Sequence, residues 1–239
     1  MARPDRASLP RAARARLLDI DSALCGLYED GELVLSNHKD PLDEAVYIIL
    51  SFQTDLSRFK MIWNSLREKY SDWNSVVCTT TPDLAATLKH GGLHRQKARS
   101  IKRLLKDVRL RFGDYSLWPL SQLSTEDAER ALLGLTGISL KAARCVLLYS
   151  LDREVFPVDS NTFRVLKRTK VIPPDALYRR KSLHDALQHA VPASRRKSLH
   201  INLVMHGRHV CLPRRPLCSD CCLESQCPKV GVRLEQRYA

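Results

Sequence analysis

No apolar run in the sequence reaches the length needed to cross a bilayer, and the N-terminal residues contain no apolar secretory core. Membrane insertion and export are therefore not expected, and a reducing compartment is. Strand-like alternation is scarce, only nine glycines and twelve prolines punctuate 239 residues, and no internal repeat or low-complexity tract appears. Those absences speak against β-sandwiches, barrels and solenoids. Three tryptophans and seven tyrosines are too dispersed to form a stacking platform. Acidic residues are also in deficit, with 26 Asp and Glu against 39 Lys and Arg, for a net charge of +13.

That excess calls for a polyanionic partner or a heavily solvated surface. The cations cluster at Arg95–Arg103, Lys167–Lys170, Arg179–Lys181, Arg195–Lys197 and Arg214–Arg215, as solvated helix faces or as a track for phosphates. The opening MARPDRASLPRAARARLLDI is arginine-rich and amphipathic, as a transit peptide is. Its apolar positions continue into LLDIDSALCGLY, so it reads as a basic tail leading into a surface helix.

Helical periodicity predicts an all-α protein of many short helices. The segments are Asp43–Phe52, Ser57–Tyr70, a helix with Thr81 as N-cap and Gly91 as stop, and a long basic helix from His94 ending at Gly113. Ser124 and Asp127 have capping-box spacing, and further helices are expected over Leu140–Ser150, Ser160–Arg168, Lys181–Ala190 and Ser194–His206. At 239 residues the chain is one large domain or two small ones.

Five of the eight cysteines fall within CLPRRPLCSDCCLESQC, and Cys211, Cys218, Cys221 and Cys227 are spaced C-x6-C-x2-C-x5-C. Disulfides are not expected in a reducing compartment. Zinc sites usually use two separated C-x2-C pairs, and only one is present; four thiolates in a compact loop also hold iron–sulfur clusters. Spacing alone separates the two by little. His206 and His209, just upstream, read as residues that complement a helix C-terminus.

LTGISLKAARCVLLYS places Gly137 in a short turn between two helices. The turn and the following helix N-terminus direct N–H groups outward, a common phosphate site. Lys141 lies near the start of that helix, where the dipole disfavours an ammonium and where a nucleophilic amine would benefit; an exposed phosphate-binding lysine is the plainer alternative. Asp159 follows eighteen residues later, and a short loop can return it beside Lys141. Asp159 is also a good N-cap for the helix starting at Ser160, and the two roles are compatible.

Five ordered motifs over roughly residues 40–230 resemble the endonuclease III family of DNA glycosylases. ILSFQT resembles its L-L-S-x-Q-x, GLHRQKARSI its G-L-x-x-x-K-A-x-x-I, LTGISLK its L-P-G-V-G-x-K and FPVDSNTFRV its V-D-T-H-x-x-R-V, and the cysteine loop comes last. Ser139 replaces the second glycine of the hairpin, and Asn161 replaces a histidine. Asn161 and LKAARCV are more similar to the plant methylcytosine glycosylases.

The resemblance implies an all-α fold of two helical domains with a cleft between them. Residues 40–154 would form a six-helix domain carrying the helix-hairpin-helix, and residues 1–39 with 155–239 a cluster domain. It implies a [4Fe–4S] cluster on Cys211, Cys218, Cys221 and Cys227, with Cys222 a neighbour. DNA contacts are implied for Gln53, which would wedge into the duplex, for Gly137 and Ser139, and for Arg214 and Arg215 in the cysteine loop. The implied enzyme is a monomeric glycosylase and abasic-site lyase, with Lys141 as nucleophile and Asp159 as charge stabiliser. Its partner would be double-stranded DNA with a damaged base, oxidised pyrimidines foremost, or an abasic site, with no membrane involved. Mismatched or methylated bases are alternative substrates, and a non-catalytic DNA-binding protein is the alternative of a different class. The implied location is the cytoplasm and nucleoid of a bacterium, or the nucleus or mitochondrion of a eukaryote.

Overall fold

The computed structural model describes residues 8–232, so the basic tail preceding Ser8 lies outside the described residues. Among them the chain forms twelve α-helices and no strand: α1 Arg11–Leu24, α2 Gly31–Leu35, α3 Pro41–Ser51, α4 Leu56–Lys69, α5 Trp73–Cys78, α6 Thr81–Thr87, α7 His94–Phe112, α8 Thr125–Leu133, α9 Leu140–Tyr149, α10 Ser160–Arg168, α11 Lys181–Ala190 and α12 Arg196–His209. No described helix is long and apolar enough to cross a membrane. The chain divides into two compact units, one running from Leu35 to Arg153 and the other combining the chain up to Val34 with the chain from Glu154 onward.

In the 35–153 unit α3 is the central helix. Asp40 caps it, accepting from the Leu42 and Asp43 N–H groups at 2.9 Å each, with Pro41 at the first position. Residues from Pro41 to Leu50 are buried except Asp43, and each Leu or Ile so covered contributes about 1.5–3 kcal/mol. The segment 35–39 belongs here because the Tyr47 hydroxyl donates to Leu35 O at 3.1 Å and the Ser150 hydroxyl to His38 O at 2.8 Å. The long helix α7 ends where Gly113 takes a left-handed φ of 77°.

Predicted boundaries move at α6 and α12. Thr80, not Thr81, caps α6, because its hydroxyl accepts the Asp83 N–H at 3.2 Å. That helix closes at Thr87, and a separate 3₁₀ turn, Lys89–Gly91, follows. Ser194 lies in the 3₁₀ turn Ala193–Arg195, and α12 runs on to His209.

In the other unit α1, α10, α11 and α12 share a core that includes Leu17, Leu24, Val165, Leu187, Leu199 and Leu203. Arg195 fastens α1 through paired bonds to the buried Asp21 carboxylate at 2.8 and 3.0 Å.

Two titratable groups of the 35–153 unit make opposing contributions to stability. Glu44 is fully buried and accepts from the Asn37 amide and the His38 N–H, and burial raises its pKa from 4.5 to about 7. The His38 ring, packed 4.3 Å from Trp63 and 4.6 Å from Tyr47, is lowered from 6.5 to about 4 by burial and then by Arg67. Between pH 4.5 and 7 the folded state holds the Glu44 proton more tightly than the unfolded chain, so this contribution is lost as pH rises. For His38 the unfolded chain binds the proton more tightly, so its contribution is lost as pH falls from 6.5 towards 4. The Glu44→Gln variant is therefore expected to gain on the wild type across pH 4.5–7, by up to about 3 kcal/mol. Urea unfolding at pH 4.5, 5.5 and 7 measures it, and a pH-independent difference would exclude this account.

Candidate functional site

The sequence-predicted residues fall into two groups, one in each unit. Gln53, Gly137, Ser139 and Lys141 lie in the 35–153 unit; Asp159, Arg214, Arg215 and the four cysteines lie in the other.

The hairpin turn is built on α7. The Thr136 N–H donates to Asp107 Oδ2 at 2.9 Å, the Thr136 hydroxyl donates to the same oxygen, and Arg111 Nη2 donates to Gly134 O at 2.6 Å. Gly137 has φ +85°, a conformation that disfavours side-chain-bearing residues, and it is exposed. Ser139 resolves the departure from the family pattern. Its φ is −86°, so no glycine is required, and its hydroxyl caps α9 by accepting the Ala142 N–H at 3.3 Å. An exposed left-handed turn thus runs directly into a capped helix N-terminus, which presents donors to an anion. Lys141 is the second residue of α9 and half-buried.

Gln53 follows α3 and is exposed with φ +50°, an unusual backbone for a non-glycine residue. A buried cation steadies the next residue. Lys97, 3 % exposed, donates from Nζ to Thr54 Oγ1 and, at 2.7 Å, to Gly91 O, while the Thr54 hydroxyl donates to Gly91 O at 2.7 Å. Burial lowers Lys97 from 10.5 to about 8. In the sequence this lysine stands within GLHRQKARSI, where its position after a turn, on an otherwise apolar stripe, is the signal for a buried cation.

Asp159 caps α10, with Oδ1 accepting the Thr162 N–H at 2.7 Å. Its other oxygen accepts from Asn161 Nδ2 at 2.9 Å. The Asn161 carbonyl in turn accepts from Arg164 Nη2 at 2.9 Å, and Arg164 also donates to Gly207 O at 2.6 Å and to Cys211 O at 2.9 Å. One chain of bonds therefore runs from the carboxylate to the first cysteine of the loop. The replacement of histidine by Asn161 is compatible with this chain because an amide both donates and accepts.

A second arginine shapes the loop. Arg168 donates to Leu212 O at 2.6 Å and Pro213 O at 2.9 Å, and its Nη1 lies 3.3 Å from Cys211 Sγ. None of the eight cysteines is paired in a disulfide. Cys211, Cys218, Cys221 and Cys227 line one hollow together with Arg168 and the apolar Val165, Val210 and Leu223. Among the described residues no group of three or more His, Cys, Asp or Glu side chains could hold a single metal ion. Four thiols around a shared apolar hollow, with a guanidinium beside one sulfur, are the donors and surroundings that suit an iron–sulfur cluster. Cys222 is exposed and does not line the hollow.

His206 departs from its sequence reading. It is 1 % exposed, its Nδ1 lies 3.0 Å from the Tyr28 hydroxyl and its Nε2 3.5 Å from Cys221 Sγ. Burial lowers it to about 4, so it is neutral and complements no dipole. Arg214 and Arg215 are both exposed between the first two cysteines, Arg215 with φ +37°.

Known proteins share the fold and, over much of the chain, the sequence. The endonuclease III chain of a non-covalent complex with DNA shares the fold at a TM-score of 0.79 and 20% identity, over 90% of this chain and 95% of that one. Endonuclease III of Thermotoga maritima is 26% identical over 196 residues, covering 80% of this chain and 85% of its own. The DNA glycosylase/AP lyase ROS1 of Arabidopsis thaliana is 26% identical over 230 residues, 85% of this chain but 16% of its own length. A further Arabidopsis thaliana protein, named for a DNA glycosylase, is 28% identical over 191 residues, 62% of its length. The chain thus spans less than two thirds of these plant relatives. Residues 46–189, which include the Gln53 loop, the hairpin, Lys141 and Asp159, match the family described as HhH-GPD superfamily base excision DNA repair protein. With that match over more than half of its length, the chain belongs to the HhH-GPD superfamily of base excision DNA repair proteins.

Proposed function

We propose that this protein is a bifunctional DNA glycosylase and abasic-site lyase that excises damaged bases, oxidised pyrimidines foremost, from duplex DNA. The observation that carries the reading is Lys141 at the second position of the helix leaving an exposed, phosphate-directed turn. A pure DNA-binding hairpin needs donors at that turn but no amine held half-buried behind it.

The target nucleotide leaves the base stack at a cost of roughly a few kcal/mol. Gln53, held out by its left-handed backbone and by the Lys97–Thr54–Gly91 bonds, fills the gap. Gly137 and the α9 N-terminus hold a backbone phosphate; Arg214 and Arg215 contact others. Lys141 Nζ, as the neutral amine, attacks C1′, and the glycosidic bond breaks with its electron pair going to the base, which takes up a proton. The Asp159 carboxylate stabilises the positive charge that develops on the sugar. Opening of the ring leaves a Schiff base. Loss of a proton from C2′ then expels the 3′ phosphate, and water returns the free lysine. Cys211, Cys218, Cys221 and Cys227 would hold a [4Fe–4S] cluster, which would crosslink the loop that carries Arg214 and Arg215.

Borohydride trapping on duplexes carrying an abasic site, an oxidised thymine, uracil, a G·T mismatch or methylcytosine tests the proposal. An adduct forming fastest with the oxidised thymine supports it in full. Preference for methylcytosine would move the substrate towards the alternative that Asn161 and LKAARCV suggest by their similarity to the plant methylcytosine glycosylases. Tight binding without an adduct on any duplex would leave only a non-catalytic DNA-binding protein or a monofunctional enzyme.

A further inference from the structure

Helix α7 carries eight Lys and Arg residues and one acid, Asp107. Half of these cations already have a partner beyond the helix. Lys97 is buried against Gly91 O, Lys102 donates to Thr79 O, Arg109 pairs with Asp114 at 3.1 Å, and Arg111 holds the hairpin at Gly134 O. Arg95, Arg99, Arg103 and Lys106 remain, all exposed and all on the side of the helix away from its buried stripe of Ala98, Ile101, Leu104, Leu105 and Val108. Among the described residues none of the four has a carboxylate at ion-pair distance. The only acid on the helix is taken by Thr136. Successive spacings of four, four and three residues stack like charges along one line, an arrangement that weakens a helix standing alone. A solvated face ordinarily mixes both signs; this one has been kept of a single sign.

The stripe is not remote from the hairpin. The turn docks on the adjoining side of the same helix, through Asp107, through Arg111 and through Ser100, whose Cβ would be 3.9 Å from a Cβ at Gly137. We infer that Arg95, Arg99, Arg103 and Lys106 form a second phosphate-binding track, alongside the hairpin, which grips undamaged duplex on one side of the lesion. From Arg95 to Lys106 the track is about 16 Å long, enough for roughly five base pairs of one strand. The inference rests on the DNA reading above but not on the catalytic one, because it concerns backbone held whether or not a base is damaged.

The test uses the full chain with all four residues changed to glutamine, a good helix former that keeps the aliphatic stem; a far-UV circular dichroism spectrum matching the wild type establishes that α7 is retained. Binding to an undamaged 30-base-pair duplex (about three helical turns) is followed by anisotropy over a series of KCl concentrations. The slope of log K against log[KCl] is expected to become shallower by about 3 to 4. Shortening the duplex by about five base pairs on one side of an abasic site should weaken the wild type and not the variant, and shortening on the other side should affect both alike. Trapping on the abasic duplex at saturating protein should keep its wild-type rate. An unchanged slope would overturn the track and assign the stripe to an acidic protein partner or to solvent. A shallower slope in a protein that traps no duplex would support the track while removing the lyase reading.

Discussion

Changing Lys141 to glutamine is expected to abolish the borohydride-trapped adduct and to slow strand cleavage at an abasic site by about 10⁴-fold or more, while duplex affinity changes by no more than a few fold. The separation follows from where the lysine sits. Ser139, not Lys141, caps α9, and Gly137 makes the turn. Glutamine therefore leaves the phosphate-directed donors in place and removes only the amine. Its length and helix propensity are close to those of lysine, so α9 keeps its first turn. Single-turnover cleavage and trapping on one abasic duplex, with affinity measured in parallel, make the comparison. If the variant still cleaved and still gave an adduct, the nucleophile would be another amine. If it lost affinity in proportion to activity, Lys141 would be a phosphate ligand, the plainer reading of a lysine near a hairpin.

Asp159→Asn is expected to slow base excision by about 10²–10³-fold with stability nearly unchanged. Asparagine and aspartate are about equal as N-caps, and the amide oxygen can still accept the Thr162 N–H that Oδ1 accepts at 2.7 Å. What the substitution removes is the negative charge. Asp159→Ala would confuse the two roles, because it also removes the cap, at about 1 kcal/mol. Excision measured in single turnovers on a damaged-base duplex, beside urea unfolding, resolves them. A variant that excises at the wild-type rate would leave Asp159 as a cap alone. The bonds through Asn161 and Arg164 to Cys211 O give this aspartate a second support from its own unit, so its orientation depends on the conformation of the cysteine loop as well as on α10.

The helices were legible because their signals are local. Ser160–Arg168 and Lys181–Ala190 are found at their predicted bounds, and Ser124 caps α8 through the Asp127 N–H as its spacing indicates. A cap, a left-handed glycine or a 3.6-residue apolar period needs only neighbours in the chain, so even the displaced cap of α6 was misplaced by a single residue, between two adjacent threonines. The cysteine spacing was legible for the same reason.

Pairings between distant residues were not. Nothing in the periodicity brings Asp107 to Thr136, Lys97 to Gly91 and Thr54, or Arg164 to Cys211. Ser139 stands where the family pattern has a glycine, and only the folded chain shows its backbone to be extended and its hydroxyl to be a cap. His206 looked like a helix-end residue, yet packing removed it from water beside Tyr28 and Cys221. The basic content of α7 was plain in the sequence, but which four of its eight cations lack a partner beyond the helix was decided by the elements packed around it. By itself the sequence determined an all-helical, strongly basic chain with a glycine turn, a lysine behind it, an aspartate cap and four clustered thiols, because each of these is written in contiguous residues. The tertiary structure alone decided which polar groups are buried, which are bonded to one another and which are left facing solvent, because burial and partnership depend on residues that meet only after the chain has folded.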